Sequence, residues 1–472
     1  MRATGWRLNV AKADSLDSAG RGRLKWSYYV AVDEIYHAKW SSLKKARIQA
    51  FREAIGHFWP EGHPSKLIQV AGTSGKGSTC QFLRSGLSEY GRAGCYVKPA
   101  VFDFAERFAV GDGQAGHDEI VRSWSEVEPF CVRSASRGDS WAFDFFEVSL
   151  LVALKIFEKR RLDWAVIETG IGGRYDCTRA LEVVATVLTN VGQDHEEVLG
   201  VEHWQRALDK AGICRPGVPL FLGDADDETA SVVRGVCREV GAPYHRLERR
   251  DVQGLKKAVG GGQRAAGVAL LDSEYQMLNA SLAMKTILSL VPSASIEALA
   301  KSFTKAKFLG RFWMIEKGVY ADVAHNPSKT RALSEDLKRR FPGEKLILVV
   351  GISGSRDPVA VLGPLVPRAS AVVVTAAGFK GQDPEVVYSR LHEAYPELRV
   401  HFAPNPQTSL SVAKSLRGNG EKVLFTGSTY MIDQALNPDE KLRHLNGTMG
   451  WRDLRQKQVE GKVSFALPEK TQ

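Results

Sequence analysis

No segment of this 472-residue chain is apolar over the length needed to cross a bilayer as a helix. The strongest candidate, Phe143 to Phe157, is too short and carries Asp144, Glu147 and Lys155. Nothing near the N-terminus reads as the apolar core of a secretory signal. The six cysteines lack both a Cys-x-x-Cys pair and a matched histidine spacing. A zinc site or disulfide framework is therefore not expected; the thiols read as reduced and the setting as cytoplasmic. Internal repeats and low-complexity runs are missing as well. Basic residues outnumber acidic ones by 64 to 54, giving a net charge of +10, yet no basic block is interleaved with aromatics. Neither a nucleic acid nor a membrane is an expected partner, and anionic small molecules account for the charge equally well.

What the chain does have is length for two domains, since one domain usually takes about 150 residues. From Lys66 onward, apolar runs alternate with amphipathic stretches, the pattern of a mostly parallel sheet flanked by helices. Leu67–Ala71, Trp164–Ile167 and Val184–Leu188 read as buried strands, and Phe145–Lys159 as a helix. Cys80, Leu83, Leu87 and Tyr90 recur at helical spacing up to Gly91. A second series of strands is expected at Tyr320–Val323, Lys345–Val350, Ala371–Val374 and Lys422–Phe425. The fold expected is α/β: a P-loop-type sheet, then a second, smaller Rossmann-like α/β domain. The division is placed at residues 1–306 and 307–472. Residues 254–266, rich in Gly and Lys, read as a surface loop, and the first sixty or so residues as helices capping the first domain.

Gly72-Thr73-Ser74-Gly75-Lys76-Gly77-Ser78-Thr79 follows a strand and opens a helix. Glycines there let backbone N–H groups cradle phosphates, and the helix N-terminus adds positive potential. Gly72, Thr73, Gly75 and Gly77 would form the cradle, Lys76 would reach the outer phosphates, and Ser78 would face Mg²⁺. Glu168 ends a buried strand, where open α/β sheets place ligands, and a carboxylate there needs a partner or a metal. His195 beside Asp194 suits a metal ligand with a fixed tautomer. Lys210, by helical spacing alone, reads as a solvated lysine.

The loop resembles the GTxGKxS loop of the Mur ligase family. Glu168 to Asp176 is similar to the EVGLGGRLD segment of its folylpolyglutamate synthase/dihydrofolate synthase branch, and Asn190 to His195 to TNIGLDH. Lys210-Ala211-Gly212-Ile213, Gly310-Arg311-Phe312, Asp322 to Pro327 and Thr426 to Tyr430 match further motifs of that branch in the same order. The resemblance implies ATP and Mg²⁺ as cofactors, with two metal sites, one of them through a carbamylated Lys210. It implies that Arg311 approaches the phosphates, Asp322 the ribose and Asn279 the adenine, while His325 and Ser428 meet the incoming amino acid. Lys76, Lys210 and His325 would then be the catalytic residues.

Two departures stand out. The family's mobile loop carries a metal-ligating serine where this chain has Lys98, and an ammonium repels a cation. Lys98 is instead expected to pair with a phosphate or an acidic acceptor. The pterin-contacting segment also has no counterpart near Ser41–Lys45, although Phe145, Phe146 and Glu147 resemble the acceptor segment and Asp176 is present beside Tyr175. The expected activity is addition of L-glutamate to a folate-type carboxylate acceptor by a monomeric ligase. The alternatives are the same ligation on a different carboxylated metabolite and a catalytically weak nucleotide-binding scaffold.

Overall fold

The computed structural model describes residue 35 and residues 44–193, 196–260, 271–306, 308–378, 380–418 and 420–437. Candidate ligand His195, its neighbour Asp194, and most of the N-terminal stretch expected to cap the first domain lie outside the described residues.

The first sheet runs β4-β3-β2-β5-β1-β6-β7-β8. Its strands are β1 Lys66–Ala71, β2 Ala93–Tyr96, β3 Phe108–Val110, β4 Gly113–Gln114, β5 Trp164–Glu168, β6 Ala185–Leu188, β7 Leu220–Leu222 and β8 Tyr244–Arg246. Strand β3 pairs antiparallel with both of its neighbours, β2 and β4; every other pairing in the sheet is parallel. Strand β1 is apolar almost throughout because both its faces are covered. Leu67 joins one core with helix α3 (Phe145–Lys159), while Ile68 and Val70 join another with helices α2 (Lys76–Leu87) and α5 (Glu274–Leu290). Helix α1 (Lys44–Phe58) packs on the short 3₁₀ turn Cys177–Ala180.

The second sheet runs β13-β12-β11-β14-β10-β9, with β9 Trp313–Glu316, β10 Val319–Ala321, β11 Leu346–Val350, β12 Ala369–Val374, β13 Val400–Phe402 and β14 Lys422–Thr426. Apart from antiparallel β9 it is parallel. Along β11, Ile347 and Val349 face one core and Leu346, Leu348 and Val350 the other.

Three readings need correction. Residues 249–260 form a helix, not a loop, because Val252, Leu255 and Val259 recur at helical spacing and pack inward, Leu255 completely. Only the Gly-rich remainder, 261–270, lies outside the described residues. The helix after the phosphate loop stops at Leu87, with Ser88 as its cap, before Tyr90 and Gly91. Lys210 is not solvated: it is 3% exposed at the end of helix α4 (His203–Ala211), whose outward face is formed by Trp204 and Leu208.

Candidate active site

The parallel register sets Val70 beside Glu168 and Ala71 beside Leu188. The loop after β1 is thus flanked by the ends of β5 and β6, the place where a doubly wound sheet opens its ligand crevice. Two glycines make the loop possible. Gly72 has φ +144° and Gly75 φ +78°, and a Cβ on them would stand 1.9 Å from Thr189 Oγ1 and 2.3 Å from Asn279 Oδ1. The loop is braced from β6: Thr73 N donates to Asn190 O (3.0 Å), Ser74 N to Asn190 Oδ1 (2.9 Å), and Thr189 Oγ1 to Ser74 O (2.6 Å). Helix α2 begins at Gly75 with no side-chain cap and no acidic residue in its first turn, so its N-terminal N–H groups stay available to an anion. Lys76 Nζ donates to Gly72 O (2.8 Å) and Thr73 O (3.2 Å), held over the loop.

Glu168 is 3% exposed at the end of β5 and forms no ion pair among the described residues. It accepts from Lys98 N at 3.0 Å, and its Oε2 would lie 3.3 Å from a Cβ on Gly77. Ser78, also buried, follows directly. A carboxylate and a hydroxyl beside a phosphate loop are hard oxygen donors that suit Mg²⁺.

Lys98 is half-buried. Its Nζ donates to Gly170 O and lies 5.4 Å from the centre of the Phe146 ring. Burial and the nearby Lys76 ammonium lower its pKa to about 8, against the opposing pull of Glu168 and Asp176. Asp176 braces the loop that carries it: Oδ2 accepts from Gly170 N (2.8 Å) and Ile171 N (3.2 Å), and Oδ1 from Thr178 N (3.0 Å). Burial raises the Asp176 pKa. Glu147 closes a capping box on α3 with Asp144, and Phe145 lies under the buried Arg107 guanidinium, 4.8 Å from ring centre to Cζ. Tyr175 opens onto a separate hollow beside α1.

From the second sheet, Arg311 reaches the phosphate loop, its Nη2 4.0 Å from the position of a Cβ on Gly77. Asp322 is buried, and its oxygens accept from Phe312 N (2.9 Å) and Ala324 N (2.8 Å). Gly75, Ser78, Asn279, Arg311 and Asp322 line one cavity of about 200 Å³. His325 lies just beyond, its Nδ1–H donating to Val323 O (2.8 Å) and its Nε2 accepting from Lys329 Nζ (3.1 Å). Burial first, then the Lys329 ammonium, hold its pKa well below the usual histidine value, so the ring is neutral. Ser428 is 1% exposed; it caps the helix Thr429–Leu436 and shares a 2.6 Å hydrogen bond with Ser353 Oγ.

The structure adds residues that sequence reasoning did not single out. Ser74, Thr189, Asn190, Asp224, Tyr275 and Lys329 also line the cavity. Asn190 and Lys329 lie inside or just after quoted motifs, so their position was available; their bracing and pairing roles depend on long-range contacts. Lys210 is buried behind the Gly172–Arg174 turn, where Gly173 N donates to Asp209 Oδ1 (3.0 Å) and Arg174 N to Asp209 O (2.8 Å).

A phosphate loop on one parallel sheet, completed across a cleft by an arginine and an aspartate from a second, defines a two-domain nucleotide-binding α/β protein. Residues 310–429 match the family model described as the Mur ligase, glutamate ligase domain. The chain is 28% identical to a Bacillus subtilis dihydrofolate synthase/folylpolyglutamate synthase over 393 residues, 79% of this chain and 90% of that protein. A Mycobacterium tuberculosis folylpolyglutamate synthase solved with ADP and AMPPCP superposes with a TM-score of 0.72 at 25% identity, covering 82% of this chain and 93% of that one. A Yersinia pestis bifunctional folylpolyglutamate synthase/dihydrofolate synthase, solved with AMPPNP and Mn, gives a TM-score of 0.70 at 24% identity, covering 87% and 96%. Over most of its length the chain is similar to folylpolyglutamate synthases and dihydrofolate synthases, and over residues 310–429 to the Mur ligase glutamate ligase domain.

Proposed function

We propose that this protein is an ATP-dependent carboxylate–amine ligase that joins L-glutamate to a folate-type acceptor, dihydropteroate or a folate. The observation that carries the reading is the single cavity lined by the phosphate loop of one sheet and by Arg311, Asp322 and Lys329 of the other. The activities named for the relatives support it.

In this reading the acceptor carboxylate attacks the γ-phosphate, ADP departs, and the resulting acyl phosphate is taken by the amino-acid amine with loss of phosphate. Loop amides, Lys76 and Arg311 stabilise the transferred charge in place. Asn279 and Asp322 hold the nucleoside end. Ser78 and Glu168 would hold Mg²⁺, which would neutralise charge on the phosphoryl group. Lys98, Phe145, Phe146, Glu147, Tyr175 and Asp176 form the acceptor side, Glu147 and Asp176 by fixing the backbone there. His325 and Ser428 face the amino acid; a neutral His325 orients the amine or accepts its proton. Meeting of the two sheets over the nucleotide shields the acyl phosphate from water. A carbamate on Lys210, which is 3% exposed, would supply a second anionic metal ligand. A carbamate signal from ¹³C-bicarbonate, absent in Lys210→Ala, checks that point.

The same ligation on another carboxylate acceptor is the second reading, favoured by the Lys98 ammonium among Gly170, Glu168 and Phe146. Phosphate release from ATP, measured with each acceptor and amino acid alone and together, tests both. Release that needs dihydropteroate and glutamate together supports the folate reading. Release with a different acceptor supports the second, and none with any pair would leave a nucleotide-binding scaffold.

A further inference from the structure

Both ring nitrogens of His325 are engaged. Nδ1–H donates to Val323 O (2.8 Å), which leaves Nε2 as the lone-pair nitrogen, and Nε2 accepts from the Lys329 ammonium (3.1 Å). An amine arriving at the ring finds that lone pair occupied until Lys329 moves. Lys329 stands in the first turn of helix α6 (Pro327–Arg340), where Asn326 Oδ1 accepts from its backbone N–H at 2.9 Å. The cap fixes its backbone, while its half-buried four-carbon stem can still turn. The same residue lines the cavity of the phosphate loop, together with Asn279, Arg311 and Asp322. Lys329 thus borders both the histidine and the space proposed for the nucleotide.

We propose that Lys329 is a positioning residue that links the two: a bound nucleotide draws its ammonium off His325, and Nε2 is then open to the amino-acid amine. The proposal rests on the ligase reading above for what Nε2 does next. An ionised oxygen accepts from an ammonium roughly twice as strongly as a neutral acceptor does, so exchange of the imidazole for the nucleotide is favourable. Helix α6 has no acidic residue in its first turn, and its N-terminal potential also favours an anion there. The other charged groups acting on the ring are Arg356, after β11, and Arg311, before β9. Both are cations, and together with burial they keep the ring uncharged once Lys329 has left. His325 therefore stays a base through the exchange. It can take the proton that the amine sheds as its nitrogen bonds to the acyl carbon and phosphate departs.

Nitrogen-15 spectra of the full chain labelled at histidine test the exchange, with His325 assigned by its loss in His325→Gln. In the parent, saturating AMPPNP with Mg²⁺ should move the Nε2 resonance downfield, toward that of a ring nitrogen accepting from no donor. In Lys329→Met, which keeps the stem and drops the charge, the resonance should stand there before nucleotide is added. In Lys329→Arg, whose guanidinium can donate to Nε2, it should return toward the parent position. A parent resonance that nucleotide leaves in place, or an equal change in parent and Lys329→Met, overturns the proposal. Calorimetry tests the other half of the exchange. AMPPNP with Mg²⁺ should bind Lys329→Met on the order of threefold or more weaker than the parent, with part of the loss recovered in Lys329→Arg. Equal binding to parent and Lys329→Met overturns the proposal. If the parent ligates no acceptor, the ligase reading fails separately, and the spectra and the titration still decide the exchange.

Discussion

Two lysines, Lys76 and Lys98, sit close enough that the Lys76 ammonium helps lower the pKa of Lys98, and they separate cleanly by what each holds. Among the described residues Lys76 Nζ donates only to the loop carbonyls of Gly72 and Thr73, so Lys76→Ala should abolish phosphate release while leaving the melting temperature within a degree or two of the parent. Lys98 titrates at about 8, below an ordinary lysine. Acceptor KM should therefore rise as pH climbs through about 8 and the ammonium is lost, and in Lys98→Met it should stay flat and high. The stability sign is opposite. Between about 8 and the free-lysine value the unfolded chain binds more protons at this position than the folded one, so its contribution to stability improves as pH rises through that window. Thermal melts of parent and Lys98→Met across that range should converge. Glu168→Gln keeps shape and loses charge; its phosphate release should no longer respond to Mg²⁺, while nucleotide still binds, as read by calorimetry.

Short elements carry the site, and local chemistry decides whether they form. Gly75→Ala must place a methyl where Asn279 Oδ1 already stands, at a φ that disfavours any side chain. A loss of about 1–3 kcal/mol in stability and of measurable nucleotide binding is expected from denaturant titration. Ser428→Ala should cost about 1 kcal/mol as a lost cap. If Ser428 also meets the amino acid, KM for glutamate will rise with it. At this scale the sequence was informative where a signal was local. The phosphate loop, strands β1, β5 and β11, and helix α3 were all legible from apolar runs bounded by glycine or a capping aspartate. Helix 249–260 was missed because glycines further along drew attention away from the Val252, Leu255, Val259 stripe. Burial of Lys210 was illegible for a different reason: its helix turns Trp204 and Leu208 outward, which inverts the usual reading of apolar spacing.

At the scale of the molecule, the cavity proposed for the nucleotide is lined from segments far apart in sequence, and motif order carried no information on the distance between them. That Arg311 lies at Gly77 could not follow from spacing; it requires the two sheets to meet. AMPPNP with Mg²⁺ at about a hundredfold over its dissociation constant should stabilise the parent by ~2.7 kcal/mol in a thermal shift assay. Most of that gain should vanish in Arg311→Ala. The hollow that Tyr175 opens onto was equally hidden, since Arg52 and Arg179 are remote in sequence and adjoin only because α1 packs on the 3₁₀ turn.

The bracing of the phosphate loop by Thr189 and Asn190 has a consequence for timing. The amides of Thr73 and Ser74 already donate to Asn190 before any nucleotide arrives. Little of the loop's conformational entropy is left to lose on binding, so association need not wait for the loop to order. In hydrogen exchange those two amides should be protected in the free protein and unchanged by AMPPNP, while protection gained on binding is confined to Lys76, Gly77 and Ser78.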